Sequence, residues 1–431
     1  MKAVSYPELG EQLYTGELPN GLSVLVVPRK GFQKKLAYFV TDYGSIHTDY
    51  ILDGKSYTAP AGVAHYLEHK LFDMPWGEVS ADFAALGANP NAFTSYDMTA
   101  YHFSCTENFE ACLELLLKFV STPYFTAESV EKEQGIIGQE IDMTADSPDT
   151  RLFENLMQAM YSRHPIRVPI LGTRESISQI TPEVLTQCHR AFYCPKNMLL
   201  CVIGDVDPEA VAEIAARVLP EASEQPAKKC RDWQEPLQPA QPVVKAQMEV
   251  AMPMFQLGFA CEPPEAGEEA VRREMIGDLA AEALFGESSQ LYLELYQQGL
   301  IDSSFGGGFE TVDGMAMLTC SGDSDDPEAV QEAILQWAGE LVAQGLGAEA
   351  FLRMKRSAIG RRIRDLDSFD STCFRLCAYY FSDFDYFRFP EVFWQIQPEE
   401  ICSFLAQTVT ADRCCLSVIT PNIKENTNES Q

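Results

Sequence analysis

The stretch His65-Tyr66-Leu67-Glu68-His69 is the most informative part of this chain, because its two imidazoles and one carboxylate have a spacing that suits a divalent metal. In a helix, His65 and His69 lie four residues apart and project from one face, so both can reach a single ion. Glu68 then lies beside that ion, where its carboxylate can take a proton from water and later give one to a leaving amine. The pentapeptide alone also fits two structural histidines, so it needs support from elsewhere in the chain.

A catalytic zinc site of this kind needs a third protein ligand, and a downstream segment offers one. Residues Ser129–Ile141 carry Glu133 and Glu140 seven positions apart, about two helical turns, so the two carboxylates share a helix face. In so acidic a chain, a single glutamate is normally part of a solvated helix face. The position of this pair, about seventy residues after the histidine motif, favours a shared site instead.

The two motifs together resemble the pitrilysin/insulinase family of zinc metallopeptidases, in which the helix carries the inverted order His-x-x-Glu-His of the inverzincins. Three other segments are similar to the family: a turn and opening strand at 18–28, an edge-strand segment at 91–101, and a strand and turn at 197–208. The resemblance is strongest to a short, two-domain bacterial branch that is often labelled as associated with elongation factor P modification. That label names a pathway and does not identify a substrate.

The resemblance implies a role for each residue of the two motifs. His65, His69 and Glu140 would bind one zinc ion per chain, and Glu68 would be the base that activates water. Glu133 would support catalysis from a position near the metal-binding carboxylate. Two imidazoles and one carboxylate suit zinc best, although manganese or cobalt can occupy such a site.

The resemblance also implies a substrate groove along the edge of a β-sheet. In this family a peptide substrate adds as a strand to that edge, so backbone pairing supplies much of the affinity. The residues expected to line the groove are Asn91, Ala92 and Thr94. The alternative is that these three are ordinary turn and strand residues.

Length and composition predict two domains, since 431 residues exceed what one hydrophobic core normally organises. The resemblance implies an α+β fold with two related domains, each a mostly antiparallel β-sheet packed with α-helices. Prolines between 220 and 242 indicate the boundary. We therefore predict an N-terminal zinc-binding peptidase domain at 1–225, a proline-rich linker at 226–246 and a related domain without zinc at 247–431.

The second half departs from the family at a pair of residues that helps to hold substrate. Many members have an Arg and a Tyr there, whereas this chain has Tyr296 and Asp302. Some members divide the work between two chains, one with the zinc motif and one with the Arg/Tyr pair. We therefore expect a heterodimer with a related partner chain that carries the Arg/Tyr pair and lacks the zinc motif.

Charge and cysteine content narrow the class of protein further. The formal charge of −31 argues against nucleic-acid binding, which normally needs a basic surface. The same charge could attract basic peptides, or could simply keep the protein soluble. No apolar run is long enough to span a membrane, and Met1–Leu9 lacks a signal-peptide core. Thirteen scattered cysteines then indicate reduced thiols, and we expect a cytoplasmic protein.

Two hypotheses of different class follow from these features. The first is a zinc endopeptidase that cleaves peptides or unstructured segments, and the completeness of the motif favours it. The second is a non-catalytic scaffold or binding subunit of a peptidase-like complex, which the missing Arg/Tyr pair would permit.

Overall fold

The computed structural model describes residues 1–221, 224–231, 233–264 and 266–422, and these form two compact units. Of the described residues, those within Met1–Asp142, Val168–Asp232 and Ile359–Glu391 form the first unit, and those within Met143–Arg167, Trp233–Ala358 and Val392–Gln431 form the second. The predicted domain bounds also include positions 222, 223, 232, 265 and 423–431, which lie outside the described residues.

Strands and helices are numbered separately in chain order. The strands are β1 (Lys2–Tyr6), β2 (Glu11–Glu17), β3 (Ser23–Pro28), β4 (Lys35–Thr41), β5 (Asp49–Leu52), β6 (Lys55–Thr58), β7 (Asp73–Met74), β8 (Gly77–Glu78), β9 (Asn89–Thr94), β10 (Thr99–Cys105), β11 (Met198–Gly204), β12 (Lys228–Lys229), β13 (Val243–Met248), β14 (Met254–Cys261), β15 (Gly306–Val312), β16 (Met315–Asp323) and β17 (Cys414–Pro421). The α-helices are α1 (Val63–Leu71), α2 (Val79–Ala85), α3 (Phe109–Val120), α4 (Ala127–Ala145), α5 (Pro148–Met160), α6 (Arg174–Ile177), α7 (Pro182–Phe192), α8 (Pro208–Val218), α9 (Glu268–Phe285), α10 (Gln290–Gln298), α11 (Pro327–Gln344), α12 (Ala348–Asp365), α13 (Phe369–Phe381), α14 (Phe389–Gln395) and α15 (Pro398–Thr408).

The first unit is built around a seven-stranded sheet in the order β1-β2-β3-β11-β4-β10-β9. All neighbouring strands are antiparallel except β3 and β11. Strand β11 lies inside the sheet, and all seven of its residues are buried. Its sequence is a nearly continuous apolar run because both of its faces are covered. Strand β9 forms one edge of the sheet, next to the candidate site described below.

The second unit repeats this arrangement in a five-stranded sheet in the order β13-β17-β14-β16-β15. The corresponding strands of the first unit are β3, β11, β4, β10 and β9. Each set of five strands can be numbered from first to fifth along the chain. In both sets the order across the sheet is then first, fifth, second, fourth and third, and the first and fifth strands pair in parallel. This shared topology confirms the predicted α+β fold with two related, mostly antiparallel domains.

Helix α5 belongs to the second unit, although it precedes the predicted boundary by many residues. It contacts β13, β14 and β17, and the hydroxyl of Ser417 donates to the carbonyl oxygen of Leu152 at 2.9 Å. Gly258 in β14 leaves room for the helix, since a Cβ there would lie 2.5 Å from the Met160 sulfur. The amphipathic face of α5 therefore completes the core of the second unit.

Helix α13 belongs to the first unit, although it comes from the second half of the chain. It contacts β4 and β11, and the Cys373 sulfur lies 3.8 Å from that of Cys201. The division of the chain thus differs from the contiguous domains predicted at 1–225 and 247–431. Proline positions indicate where regular structure stops, but they do not indicate which sheet a helix covers.

The predicted linker at 226–246 is partly incorporated into the two units. Strand β12 pairs with β5 in the first unit, and β13 pairs with β17 in the second. In the segment that joins β12 to β13, the Glu235 carboxylate accepts hydrogen bonds from the backbone N–H groups of Ser162 and His164. A proline-rich segment therefore contains strand residues here, because the prolines lie outside those short strands.

No helix within the described part of the chain combines the length and the apolar character needed to cross a membrane.

His189 in α7 is a buried histidine that should make the fold acid-sensitive. Its Nε2 lies 2.9 Å from the carbonyl oxygen of Val120, and burial lowers its pKa from 6.5 to about 4. The unfolded chain takes up this proton near pH 6.5 and the folded chain only near pH 4. The contribution of His189 to the free energy of unfolding is therefore complete above pH 6.5. It is lost as the pH falls, by about 2 kcal/mol between pH 7.5 and pH 5.

Urea unfolding of the wild type and of His189→Gln across this pH range measures that contribution. The glutamine can still donate to the Val120 carbonyl but does not titrate, so the variant should show a shallower loss of stability below pH 6.5. The same slope in both proteins would contradict the assignment.

Candidate metal centre

The N-terminus of α1 is fixed by close backbone packing. Gly62 precedes the helix with φ of 91°, and a Cβ there would lie 2.4 Å from the carbonyl oxygen of Leu171. Next to it, the Ser176 hydroxyl donates to the carbonyl oxygen of Ala61 at 2.8 Å. Only a residue without a side chain fits at Gly62, both for its left-handed φ and for the space available.

Gly62→Ala should therefore be strongly destabilising, and Gly31→Ala provides a matched control. Gly31 also has positive φ, 84°, but a Cβ there meets no atom within 4 Å. Both variants lose about 1–2 kcal/mol to the left-handed conformation, and only Gly62→Ala also displaces the helix. We expect Gly62→Ala to unfold at a lower temperature than Gly31→Ala and to bind zinc more weakly. Equal melting temperatures and zinc affinities would contradict this.

Most of helix α1 is buried, and the side chains that remain partly exposed belong to the histidine motif. Seven of its nine residues are buried, and the exceptions are Glu68 and His69. The hydroxyl of Tyr66 donates to the carbonyl oxygen of Val130, which ties α1 to the first turn of α4. The rest of α1 packs into the core of the first unit.

Helix α4 is held along its length by contacts with α6. The Gln134 amide donates to the carbonyl oxygen of Ile177 at 3.1 Å, and the Arg174 Nε donates to the Asp142 carboxylate at 2.9 Å. Gly138 makes room for that arginine, since a Cβ there would lie 2.6 Å from its guanidinium. These contacts therefore fix α4 against α6 along the stretch that carries Glu133 and Glu140.

His65, His69 and Glu140 converge at one point. In the described part of the chain they form the one group of three His, Cys, Asp or Glu side chains whose ligand atoms all lie within 4.8 Å of one another. Nε2 of His65 lies 3.6 Å from Oε1 of Glu140, and Nε2 of His69 lies 3.7 Å from Oε2. Ligands at about 2.1 Å from a tetrahedral zinc ion stand about 3.4 Å apart. The three residues therefore fit such an ion.

Glu133 and burial act differently on the two imidazoles. Nδ1 of His69 donates to Oε1 of Glu133 at 3.0 Å, and Nε2 of the same ring faces Glu140. Burial lowers the pKa of His69, but this hydrogen bond and the nearby carboxylates raise it overall. Burial and the neighbouring His69 lower the pKa of His65 to about 3, so that imidazole is neutral at physiological pH.

Glu68 lies beside the three residues without joining them. Its Oε2 accepts a hydrogen bond from the hydroxyl of Thr94 at 2.7 Å. Burial raises the pKa of Glu68, and the Thr94 hydrogen bond opposes part of that rise. A carboxyl group with a raised pKa is suited to accept a proton and then to return it.

The three predicted groove residues lie on edge strand β9 but face two directions. Thr94 and Ala92 point to the α1 side, where Thr94 binds Glu68 and Ala92 packs against the core. Asn91 points to the opposite face by strand alternation, and its side chain accepts a hydrogen bond from the backbone N–H of Ala92 at 2.9 Å. Only Thr94 thus contacts one of the predicted catalytic side chains.

Several residues that hold the centre are not predicted by sequence reasoning. The Tyr66 hydroxyl, the direct contact of Thr94 with Glu68 and the buried ammonium of Lys70 all depend on tertiary contacts. The one available signal is Lys70 itself, a lysine directly after the second histidine of the motif. Four other histidines contact protein groups elsewhere, mostly backbone: His47, His102, His164 and His189.

Comparison with known proteins places this centre in a family. Residues 53–174 match the sequence profile described as insulinase (peptidase family M16), and residues 179–358 match the one described as the peptidase M16 inactive domain. An uncharacterised zinc protease of Bacillus subtilis (strain 168), YmfH, is 39% identical over 98% of this chain and 99% of its own length.

Solved structures agree with the sequence comparison. The crystal structure of an Alicyclobacillus acidocaldarius protein described as M16-like has a TM-score of 0.92 and 31% identity, covering 98% of this chain and all of the other. A protease from Helicobacter pylori shares the fold, with a TM-score of 0.81 and 21% identity, over 95% of this chain and all of the other. The chain therefore belongs to the pitrilysin/insulinase family, peptidase family M16, as its two motifs predict.

Proposed function

We propose that this protein is a zinc-dependent endopeptidase that hydrolyses peptide bonds in peptides or unstructured segments. The observation that carries the proposal is the convergence of His65, His69 and Glu140 with the Glu68 carboxylate beside them. The family membership and the zinc-protease names of its relatives support it. A scaffold subunit would have no need for this complete set of groups.

Each residue has a distinct task in the proposed reaction. A zinc ion held by His65, His69 and Glu140 would supply a Lewis acid that makes water more acidic and polarises the scissile carbonyl. Glu68 accepts the proton of the attacking water and delivers it to the amine nitrogen as the peptide bond breaks. The Thr94 hydroxyl holds the Glu68 carboxylate in place, and Glu133 holds the His69 ring.

The substrate would bind as an extended strand along β9. This strand is at the edge of its sheet, so a peptide can pair with the backbone groups on its outer side. Asn91, Ala92 and Thr94 would line the groove. Extended binding admits only segments without stable structure, which is why we propose peptides and unfolded segments as substrates.

Cleavage of a mixed library of unstructured peptides tests the proposal. The samples are the purified chain, the chain after chelation, and the chelated chain supplied again with zinc. We expect cleavage that chelation abolishes and zinc restores. Bound zinc without cleavage, in this experiment and in the two-chain experiment below, would favour the scaffold hypothesis.

We further propose that the chain works as the zinc-bearing subunit of a heterodimer. Tyr296 and Asp302 stand where many family members have Arg and Tyr. Asp302 accepts a hydrogen bond from the backbone N–H of Ser304 at 2.7 Å, and hydrogen bonds with Ser304 lower its pKa. An anionic carboxylate engaged in this way cannot replace a phenolic donor. A related partner chain with the Arg/Tyr pair would supply the missing contacts.

Co-expression with a related chain that lacks the zinc motif tests the heterodimer. Light scattering after gel filtration should find a one-to-one complex, and the complex should cleave peptides faster than the chain alone. A monomer or homodimer with full activity would contradict it.

A further inference from the structure

Lys70 is a buried cation immediately after the second histidine of α1. Its side chain is only 1% exposed, and its Nζ donates to the Asp73 carboxylate at 2.8 Å. The same Nζ lies 3.9 Å from Oε2 of Glu133. A lysine is almost never fully buried without a charged partner, so these two carboxylates account for its position.

The Glu133 carboxylate joins Lys70 to the metal centre. Its Oε1 accepts from Nδ1 of His69, and its Oε2 faces the ammonium of Lys70. The Glu133 side chain is 16% exposed, so little solvent is present to stabilise its charge. The Lys70 ammonium beside Oε2 therefore favours one orientation of the Glu133 carboxylate. In that orientation Oε1 faces His69 and Oε2 faces Lys70.

From this arrangement we infer that Lys70 is a positioning residue of the metal centre. Its ammonium holds Glu133 so that Oε1 fixes the His69 ring with Nε2 directed at Glu140. Lys70 thus acts on metal affinity through Glu133 and does not touch the metal. The inference rests on the proposed zinc site.

A purely structural role makes a different prediction. Removing one partner of a buried ion pair destabilises a protein, so Lys70→Met should lower the melting temperature under either role. If Lys70 only filled space, Lys70→Met would leave zinc binding unchanged. If it positions Glu133, the folded variant also loses zinc affinity, and it does so only while Glu133 is present.

A double-mutant cycle on zinc affinity tests the inference. The zinc dissociation constant is measured by competition with a chelator for the wild type, Lys70→Met, Glu133→Gln and the double variant. We expect Lys70→Met to weaken zinc binding about 10-fold in the wild type, within the range found for residues that orient a ligand. In the Glu133→Gln background the same substitution should have less than about a 2-fold effect.

Two further variants control for damage to the fold. Lys355 in the second unit is also a buried lysine, 4% exposed, and its Nζ donates to the carbonyl oxygens of Trp394 and Ile396. Lys355→Met should leave zinc affinity unchanged. If Lys70→Met does not fold, Lys70→Gln removes the charge while keeping a donor for Asp73, and it should weaken zinc binding in the same direction.

The outcomes separate this inference from the proposed function. Wild-type zinc binding that Lys70→Met does not alter would overturn the inference alone. An equal loss with and without Glu133 would overturn it as well, since Lys70 would then act by another route. A wild-type chain that binds no zinc would overturn the proposed zinc site itself.

Discussion

Glu68→Gln should lose peptide cleavage by about 10²- to 10⁴-fold, the range for removal of a general acid-base group. Glutamine has nearly the same shape as glutamate and can still meet the Thr94 hydroxyl, but it cannot accept the proton of the attacking water. Glu68 lies outside the group of three converging ligand atoms, so the variant should bind zinc as the wild type does. Initial cleavage rates and zinc content are measured on the same samples.

Glu131→Gln is the matched control for this experiment. It makes the same chemical change at an exposed position on α4 and should leave both rate and zinc content unchanged. A Glu68→Gln protein that still cleaves at the wild-type rate would remove Glu68 from the mechanism. A loss of zinc together with activity would instead make it a ligand.

Glu140→Gln should weaken zinc binding strongly. The substitution replaces a charged ligand by a neutral amide and leaves two imidazoles to hold the ion. Loss of residues that merely orient a ligand costs about 10- to 100-fold in metal affinity, so loss of the carboxylate ligand should cost at least about 100-fold. Competition with a chelator measures the change.

The fold of the Glu140→Gln variant should remain intact. The Glu140 side chain is 32% exposed, so the substitution buries no unpaired group. Glu131→Gln again serves as the control on the same helix. Wild-type zinc affinity in Glu140→Gln would show that another group completes the site.

Much of the candidate site could be predicted from the sequence because its spacing follows from helix geometry. The four-residue separation of His65 and His69, and the seven-residue separation of Glu133 and Glu140, each place side chains on one helix face. The structure brings the faces of α1 and α4 together, as the family resemblance implies. The related architecture of the two domains could be predicted from the family resemblance.

The parts that could not be predicted depend on contacts distant in the chain. Helices α5 and α13 each cover the sheet whose surface they fit. One example is the space that Gly258 leaves for Met160 of α5. The hydrogen bond from Thr94 to Glu68 and the approach of Lys70 to Glu133 likewise appear only when strands and helices are assembled. Apolar periodicity contains no information about such pairs.

A zinc titration of the metal-free protein, with peptide cleavage followed in the same sample, tests the proposal of a zinc-dependent peptidase. It is performed on the chain alone and together with a related chain that lacks the zinc motif. Cleavage should rise linearly and stop rising at one zinc ion per zinc-motif chain. Cleavage without zinc, or one tightly bound zinc ion with no cleavage in either sample, would contradict the proposal.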